Sequence, residues 1–314
     1  MGNFLRRPRS NPDMSDVETR PGRSQPARQD PRLYQVAVLA TLLLYGMVRL
    51  DFDVGPERAM AILGTALATQ YVCGRIWGLP AFDPKSALIS GLSLCLLCRA
   101  NEPLLAMATA VAAITSKFTL RWRGKHVFNP TNFGLVVMML VTGEVWVSPG
   151  QWGSAATFGF LLASAGCLVV TRARRADVTL AFLGAWAALL FGRSMWLGEP
   201  LAIPIHRFES GALVLFAFFM ISDPKTTPDS PAGRVLFAAL VAAGAYSAQF
   251  VLFRTNGLLW SLAVTSLLVP VIDWLLPGQR YRWLSPASPA DAGLGAEPDR
   301  KPARFRPAFE RSSG

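Results

Sequence analysis

The sequence predicts an all-α integral membrane protein with about ten transmembrane helices, arranged as two inverted five-helix repeats with short broken helices. Three observations predict this class. Of 314 residues, 52% are hydrophobic and only 16% are charged, and the mean hydropathy is positive, which is too apolar for a soluble domain of this length. The charges are segregated into two terminal arms and a few connecting loops. The apolar runs between them approach the ~20 residues that cross a hydrocarbon core as a helix.

The arms set the domain limits. Residues 1–33 and 278–314 are rich in Arg and Pro, poor in aliphatics and net positive, so neither buries enough surface to offset its ordering entropy. Both read as disordered basic cytoplasmic tails flanking a membrane domain at 34–277, with repeat one at 34–147 and repeat two at 154–277. At the start, Arg6, Arg7 and Arg9 lead into a polar tract with no apolar core, unlike a secretory signal peptide. The first span is therefore expected to be retained. The net charge of +11 raises the question of a nucleic-acid partner, but the basic residues follow the loops and form no single patch. Topology accounts for them, and the expected partner is membrane lipid, with no nucleic acid.

Spans are expected near 34–50, 59–78, 87–98, 104–120 and 131–147, then near 154–171, 178–198, 211–222, 235–253 and 258–276. Odd-numbered loops contain Asp51, Asp53, Glu57 and Arg58, or almost no charge. Even-numbered loops contain Lys117, Arg121, Arg123 and Lys125, then Arg172, Arg174 and Arg175. The positive-inside bias therefore places the even loops and both termini in the cytoplasm of a cell with the protein in its inner membrane.

The halves resemble each other. Ser90-Gly91 opens a short apolar stretch that closes at Asn101-Glu102-Pro103, and Ser210-Gly211 opens another that closes at Ser222-Asp223-Pro224. Thr131-Asn132-Phe133-Gly134-Leu135 recurs loosely as Thr255-Asn256-Gly257-Leu258. Five spans per half make the repeats inverted, and short interrupted segments at matching places point to a buried site between the halves. Broken helices leave backbone groups that protein, water or a ligand must satisfy. Asn129-Pro130 and Asp223-Pro224 both interrupt helical pattern, so Asn129, Asn132, Asp223, Lys225, Thr226 and Thr227 are candidate cofactor-binding residues. An Asx-Pro turn at a membrane boundary is the plainer alternative for each. Glu102 and Asp223 hold matching places in the two repeats and are candidate stations of an ion path, one at each face.

Other chemistry is sparse. Cys95 and Cys98 share one face of a predicted helix, while Cys73 and Cys167 stand alone, so the four-ligand set of a zinc or iron–sulfur site is missing. His126, beside Lys125, reads as an interfacial cation, and His206 is isolated. No metal and no soluble-enzyme motif is expected.

Two motifs carry a family resemblance. Phe128-Asn129-Pro130-Thr131-Asn132-Phe133-Gly134, and Phe218-Phe219-Met220-Ile221-Ser222-Asp223-Pro224-Lys225-Thr226-Thr227 with Gly233-Arg234, resemble signatures of one family. It contains the D subunit of the Rnf electron-transport complex and the B subunit of the sodium-translocating NADH:quinone oxidoreductase. The resemblance covers roughly 115–240. It implies a flavin-carrying membrane subunit that couples electron transfer to cation translocation, with other subunits of Rnf or Nqr type as partners and FMN or riboflavin as cofactor. The family attaches FMN to a threonine in a pattern like Asp-x-x-Ser/Thr-Gly-Ala-Thr, and the nearest match here is Ser154-Ala155-Ala156-Thr157. Alanine replaces the glycine and Gln151 stands where the acid belongs. A small-residue helix start with Ser154 near its N-cap is thus favoured over a covalent bond at Thr157. The other function class is a stand-alone transporter or accessory membrane protein on the same scaffold, for example in a natural-product cluster of enediyne type.

Overall fold

The computed structural model describes residues 30–50, 52–148, 166 and 175–281. Ser154, Thr157, Cys167 and the expected span near 154–171 lie outside the described residues, apart from Gly166. The chain is mostly helical. Six described helices begin on a proline: α1 (Pro31–Arg49), α2 (Pro56–Ile76), α3 (Pro84–Leu97), α4 (Pro103–Thr119), α5 (Pro130–Thr142) and α9 (Pro231–Tyr246). Proline suits this position because the first turn has no acceptor for its missing N–H. The preceding residue is driven to extended backbone, where Asp83, Asn129 and Ser230 turn their side chains back to cap the helix. Between α3 and α4 runs β1 (Cys98–Ala100), which pairs antiparallel with β4 (Val145–Val147) after α5. A second small ladder, β2 (Arg121–Trp122) with β3 (Lys125–His126), joins α4 to α5.

The second half contributes α6 (Ala176–Leu197), α7 (Ala202–Phe208), α8 (Gly211–Leu215), α9, α10 (Gly257–Ser266) and α11 (Val269–Leu275). Two π-helical segments extend it: Phe216–Met220 continues α8, and Ser247–Val251 continues α9. Among the described residues, Ala176–Leu197 and Pro231–Val251 are each long and apolar enough to cross a membrane. Two bent pairs, Ala202–Phe208 with Gly211–Met220 (50°) and Gly257–Ser266 with Val269–Leu275 (52°), are broken spans or re-entrant loops. Pro84–Leu97, Pro103–Thr119 and Pro130–Thr142 are shorter apolar helices.

Three expectations need correction. The span near 131–147 is helix only to Thr142, because Gly143 takes a left-handed φ of 68° and the chain turns into β4. The span near 258–276 breaks between α10 and α11, where Pro270 lacks the donor an unbroken helix would need. Cys98 leaves the helix of Cys95 and sits in β1, so the two do not share a helical face.

In the first half α2 packs on α3 and α4, and α4 on α5; in the second α9 packs on α6 and α10. The core follows the same division, with Leu94, Leu96, Ile114 and Leu135 buried in one half and Phe182, Phe216 and Phe237 in the other. Two glycines bring helices close to the backbone of a neighbouring helix. A Cβ on Gly134 would lie 2.7 Å from the Thr109 carbonyl oxygen of α4, and one on Gly257 would lie 2.8 Å from the Ala245 carbonyl oxygen of α9. The halves then meet through reciprocal asparagines: Asn132 Nδ2 on α5 donates to the Leu259 carbonyl of α10 at 3.2 Å, and Asn256 Nδ2, at the start of α10, reaches Met139 Sδ of α5 at 3.8 Å.

Polar groups collect at opposite ends. At one, Asp30 accepts from Arg32 and Lys85, Arg32 also pairs with Asp83, and Arg234 pairs with Asp177. There too, Lys125 Nζ binds the Thr227 carbonyl, Asp229 and Asp273 at 2.8, 3.0 and 2.7 Å, fastening the β2–β3 ladder to the second half. At the other end lie the β1–β4 ladder and the Arg193–Glu199 pair. We refer to these as the ion-pair end and the cavity end.

Candidate functional site

The sequence-predicted residues fall mainly at the ion-pair end. Asn129 is buried at the start of α5; its Oδ1 accepts from the Asn132 N–H at 3.1 Å and its Nδ2 donates to the Met220 carbonyl at 3.3 Å. It thus caps one helix and adds a donor to the terminal carbonyl of the π-helical segment, which also accepts from the Asp223 N–H at 3.4 Å. Asn132 is fully buried, and its Oδ1 has no partner. Asp223 does not start a helix. It opens a turn in which its Oδ1 accepts from the Lys225 N–H at 3.0 Å and its carbonyl accepts from the Thr226 and Thr227 N–H groups. That loop is largely interior: Ile221, Ser222, Thr226 and Thr227 are all buried, and the Thr227 Oγ1 is unpartnered. A buried loop carries backbone that must be bonded, and the turn and Lys125 meet that need.

Asp223 and Lys225 border a niche of about 80 Å³ with Lys117, His126, Asn129 and Ser86, room for several waters. Burial pushes the Asp223 carboxyl above its ordinary range and the Lys225 ammonium below its own. The expectation of His126 as an interfacial cation is corrected here. Burial first, then the charges of Lys225, Arg121 and Lys117, lower its pKa to about 3, so it is neutral at physiological pH and its Nδ1 is unpartnered. Lys117 is a second correction: it lies within α4, 3% exposed, with Nζ bonded to the Ser86 carbonyl and Oγ. Glu102 is exposed at the cavity end, where it precedes α4 without capping it. It lies at the opposite end from Asp223.

A second space, at the cavity end, escapes a reading of the sequence. A cavity of about 750 Å³ opens in the second half, with Leu97 and Val147 of the first half at its edge, within the ~300–1,000 Å³ typical of small-molecule sites. Its apolar wall includes Trp186, Leu213, Phe216, Met220 and Leu259, all nearly inaccessible to solvent. Arg207, Glu209 and Arg254 supply its charges, and His206 lies beside them. Both π-helical segments reach it, through Phe216 and Met220 and through Gln249, and such segments recur where a helix is bent to serve a site. Met220 borders the 80 Å³ niche as well, so the two spaces back onto one residue. Chemically, the cavity suits a largely apolar molecule with a polar or anionic end. The niche suits waters and a proton. One sequence signal for the cavity exists: on the topology expected from the sequence, Arg207 at the end of α7 and Arg254 in the loop before α10 fall on the side that the positive-inside bias keeps poor in arginine.

These features define a helical membrane protein with a ligand-sized cavity walled mainly by its second half. Residues 139–282 match the NQR2, RnfD, RnfE family, so the resemblance read from the motifs is shown over that stretch. It includes the second motif and nearly all of the cavity wall, while the motif at Phe128–Gly134 precedes it. The D subunit of an ion-translocating oxidoreductase complex from Shewanella amazonensis is 30% identical over 115 residues, covering 36% of this chain and 33% of the relative. Its counterpart from Erwinia tasmaniensis is 30% identical over 144 residues, covering 45% and 38%. That from Sodalis glossinidius is 31% identical over 145 residues, covering 43% and 39%. The matches thus span little more than a third of the length of these relatives.

Proposed function

We propose that the protein is a membrane subunit of a redox-driven ion pump, holding a flavin in the cavity and moving a cation past Asp223. One observation carries the reading: a cavity of ligand size, walled by Trp186 and Phe216, lies almost wholly within the stretch that matches the family. A bound flavin would supply electron transfer there. Trp186 and Phe216 would face its ring system, and the buried wall would exclude water from it. At the ion-pair end the niche is lined by Lys117, Lys225 and Arg32 against a single carboxylate, Asp223. Burial raises the pKa of that carboxylate, and the charges of Lys225 and Lys117 oppose the rise; a carboxylate whose affinity for a proton is raised overall makes the coupling ion in this reading a proton. The reciprocal Asn132 and Asn256 contacts and the paired Gly134 and Gly257 approaches support the inverted-repeat arrangement, and with it ten spans and cytoplasmic termini at the ion-pair end.

The test is a preparation in mild detergent from cells supplied with riboflavin, its absorption spectrum recorded before and after acid precipitation. A flavin spectrum that passes into the supernatant is the expected result; a yellow pellet would mean a covalent flavin, and Thr157→Ala should then bleach it. A colourless preparation that stays colourless after incubation with FMN or riboflavin would remove the electron-carrier reading and leave a transporter or accessory protein on this scaffold. Asp223→Asn preserves the turn and removes the titrating group. In the loaded protein it should abolish a pH-dependent step in the flavin's midpoint potential, and identical pH profiles for the two proteins would return Asp223 to a turn residue.

A further inference from the structure

Arg193, Arg207 and Arg254 sit around the cavity end in unequal circumstances. The Arg193 Nη1 lies 2.6 and 2.7 Å from the two carboxylate oxygens of Glu199, so its charge is spent locally. Arg207 has no carboxylate partner among the described residues; its guanidinium is 4.9 Å from the centre of the Phe250 ring, whose other contact of this kind is Arg193 at 4.6 Å. A ring contact fixes the position of a guanidinium while leaving its N–H donors in the plane unsatisfied. Arg254 likewise makes no side-chain hydrogen bond or ion pair among the described residues; its backbone N–H is the bonded group, donating to the Ala248 carbonyl at 2.8 Å. Both residues border the cavity, with Glu209 as the one carboxylate residue beside them. The start of α10, which the Asn256 side chain does not cap, forms part of the same wall and adds partial positive charge.

We propose that Arg207 and Arg254 form an anion subsite at the mouth of the cavity that reads a phosphate monoester, so that the cavity selects FMN over riboflavin by ionic capture without a covalent bond. This rests on the flavin reading above and adds the specificity of the site. Arginine suits the task because its planar fork donates two hydrogen bonds to one phosphate. The phosphate would sit at the wet mouth while the ring system lies against Trp186 and Phe216. Glu209 opposes the anion and tunes the preference downward.

Fluorescence titration of flavin-free protein with FMN and with riboflavin tests it. Each exposed arginine–phosphate contact is worth about a five-fold change in affinity, so wild type should bind FMN roughly ten-fold or more tightly than riboflavin. Arg207→Gln and Arg254→Gln should each weaken FMN about five-fold and leave riboflavin unchanged. Glu209→Gln should tighten FMN alone, and the FMN preference should shrink as sodium chloride rises. Equal affinity for the two flavins, or variants that lose both alike, would overturn the subsite while leaving the flavin reading intact. FMN that stays with the acid-precipitated pellet would also overturn it. Binding of neither flavin would overturn the flavin reading and the subsite together.

Discussion

Replacing Gly134 by alanine tests how tightly the first half is built. The added Cβ would lie 2.7 Å from the Thr109 carbonyl oxygen, 2.8 Å from Ala113 Cβ and 3.1 Å from the Ala113 nitrogen, against 3.4 Å or more for ordinary contact. The obstacle is mainly helix backbone and cannot swing aside like a side chain, so α4 and α5 must part by more than half an ångström. Alanine's better helix propensity returns less than ~1 kcal/mol, whereas overpacking costs ~1–3 kcal/mol, so the net effect is destabilising. Parting the helices also displaces Asn132, whose Nδ2 bridges to Leu259. Gly184→Ala is the matched control, since a Cβ there meets nothing within 4 Å, and it should be neutral or slightly stabilising. Thermal unfolding in detergent, followed by tryptophan fluorescence, should show Gly134→Ala melting well below wild type and Gly184→Ala at or above it. Equal melting temperatures for the two variants would refute the close approach.

Asp30 gives a pH signature. Burial alone would raise its pKa, but hydrogen bonds from Arg32 and Lys85 outweigh that and lower it to about 2. A depressed carboxylate stabilises the fold fully above its unfolded pKa of ~3.9 and loses that contribution as pH falls toward 2. Asp30→Asn should therefore cost about 1–2 kcal/mol at pH 7, after allowance for solvent screening of a half-buried pair, and progressively less below pH ~4; a penalty independent of pH would contradict the assignment. Topology is checked with single cysteines at the exposed positions Trp122 and Glu144 in a background without native cysteines. Impermeant reagent should label Glu144→Cys in intact cells and Trp122→Cys only once the inner face is opened, and labelling of both from one side would contradict a membrane between the two ends.

How much of this is legible in the sequence depends on how local each signal is. Helix starts are readable because proline and its capping predecessor act within four residues, as at Asn129-Pro130 and Ser230-Pro231. Gly134 and Gly257 stand out as a repeat, and both allow a close helix approach, because a missing Cβ is visible wherever the halves are laid side by side. The cavity is not legible. Its wall combines two π-helical segments with side chains from loops more than forty residues apart, and the sequence pattern does not distinguish a π-helical turn from an α-helical one. Lys117 and His126 mislead for a related reason. A cation at a span boundary reads as solvated, whereas the niche at Asp223 is enclosed by Ser86 and Phe218 from other helices.

The central claim is that the cavity in the second half holds a flavin, and a cryo-electron microscopy map of the protein purified with FMN tests it most directly. Flat density against Trp186 and Phe216, with a phosphate lobe near Arg207 and Arg254, is the predicted result. A cavity closed by side chains or filled by an acyl chain, in a preparation shown to be saturated with FMN, would contradict it.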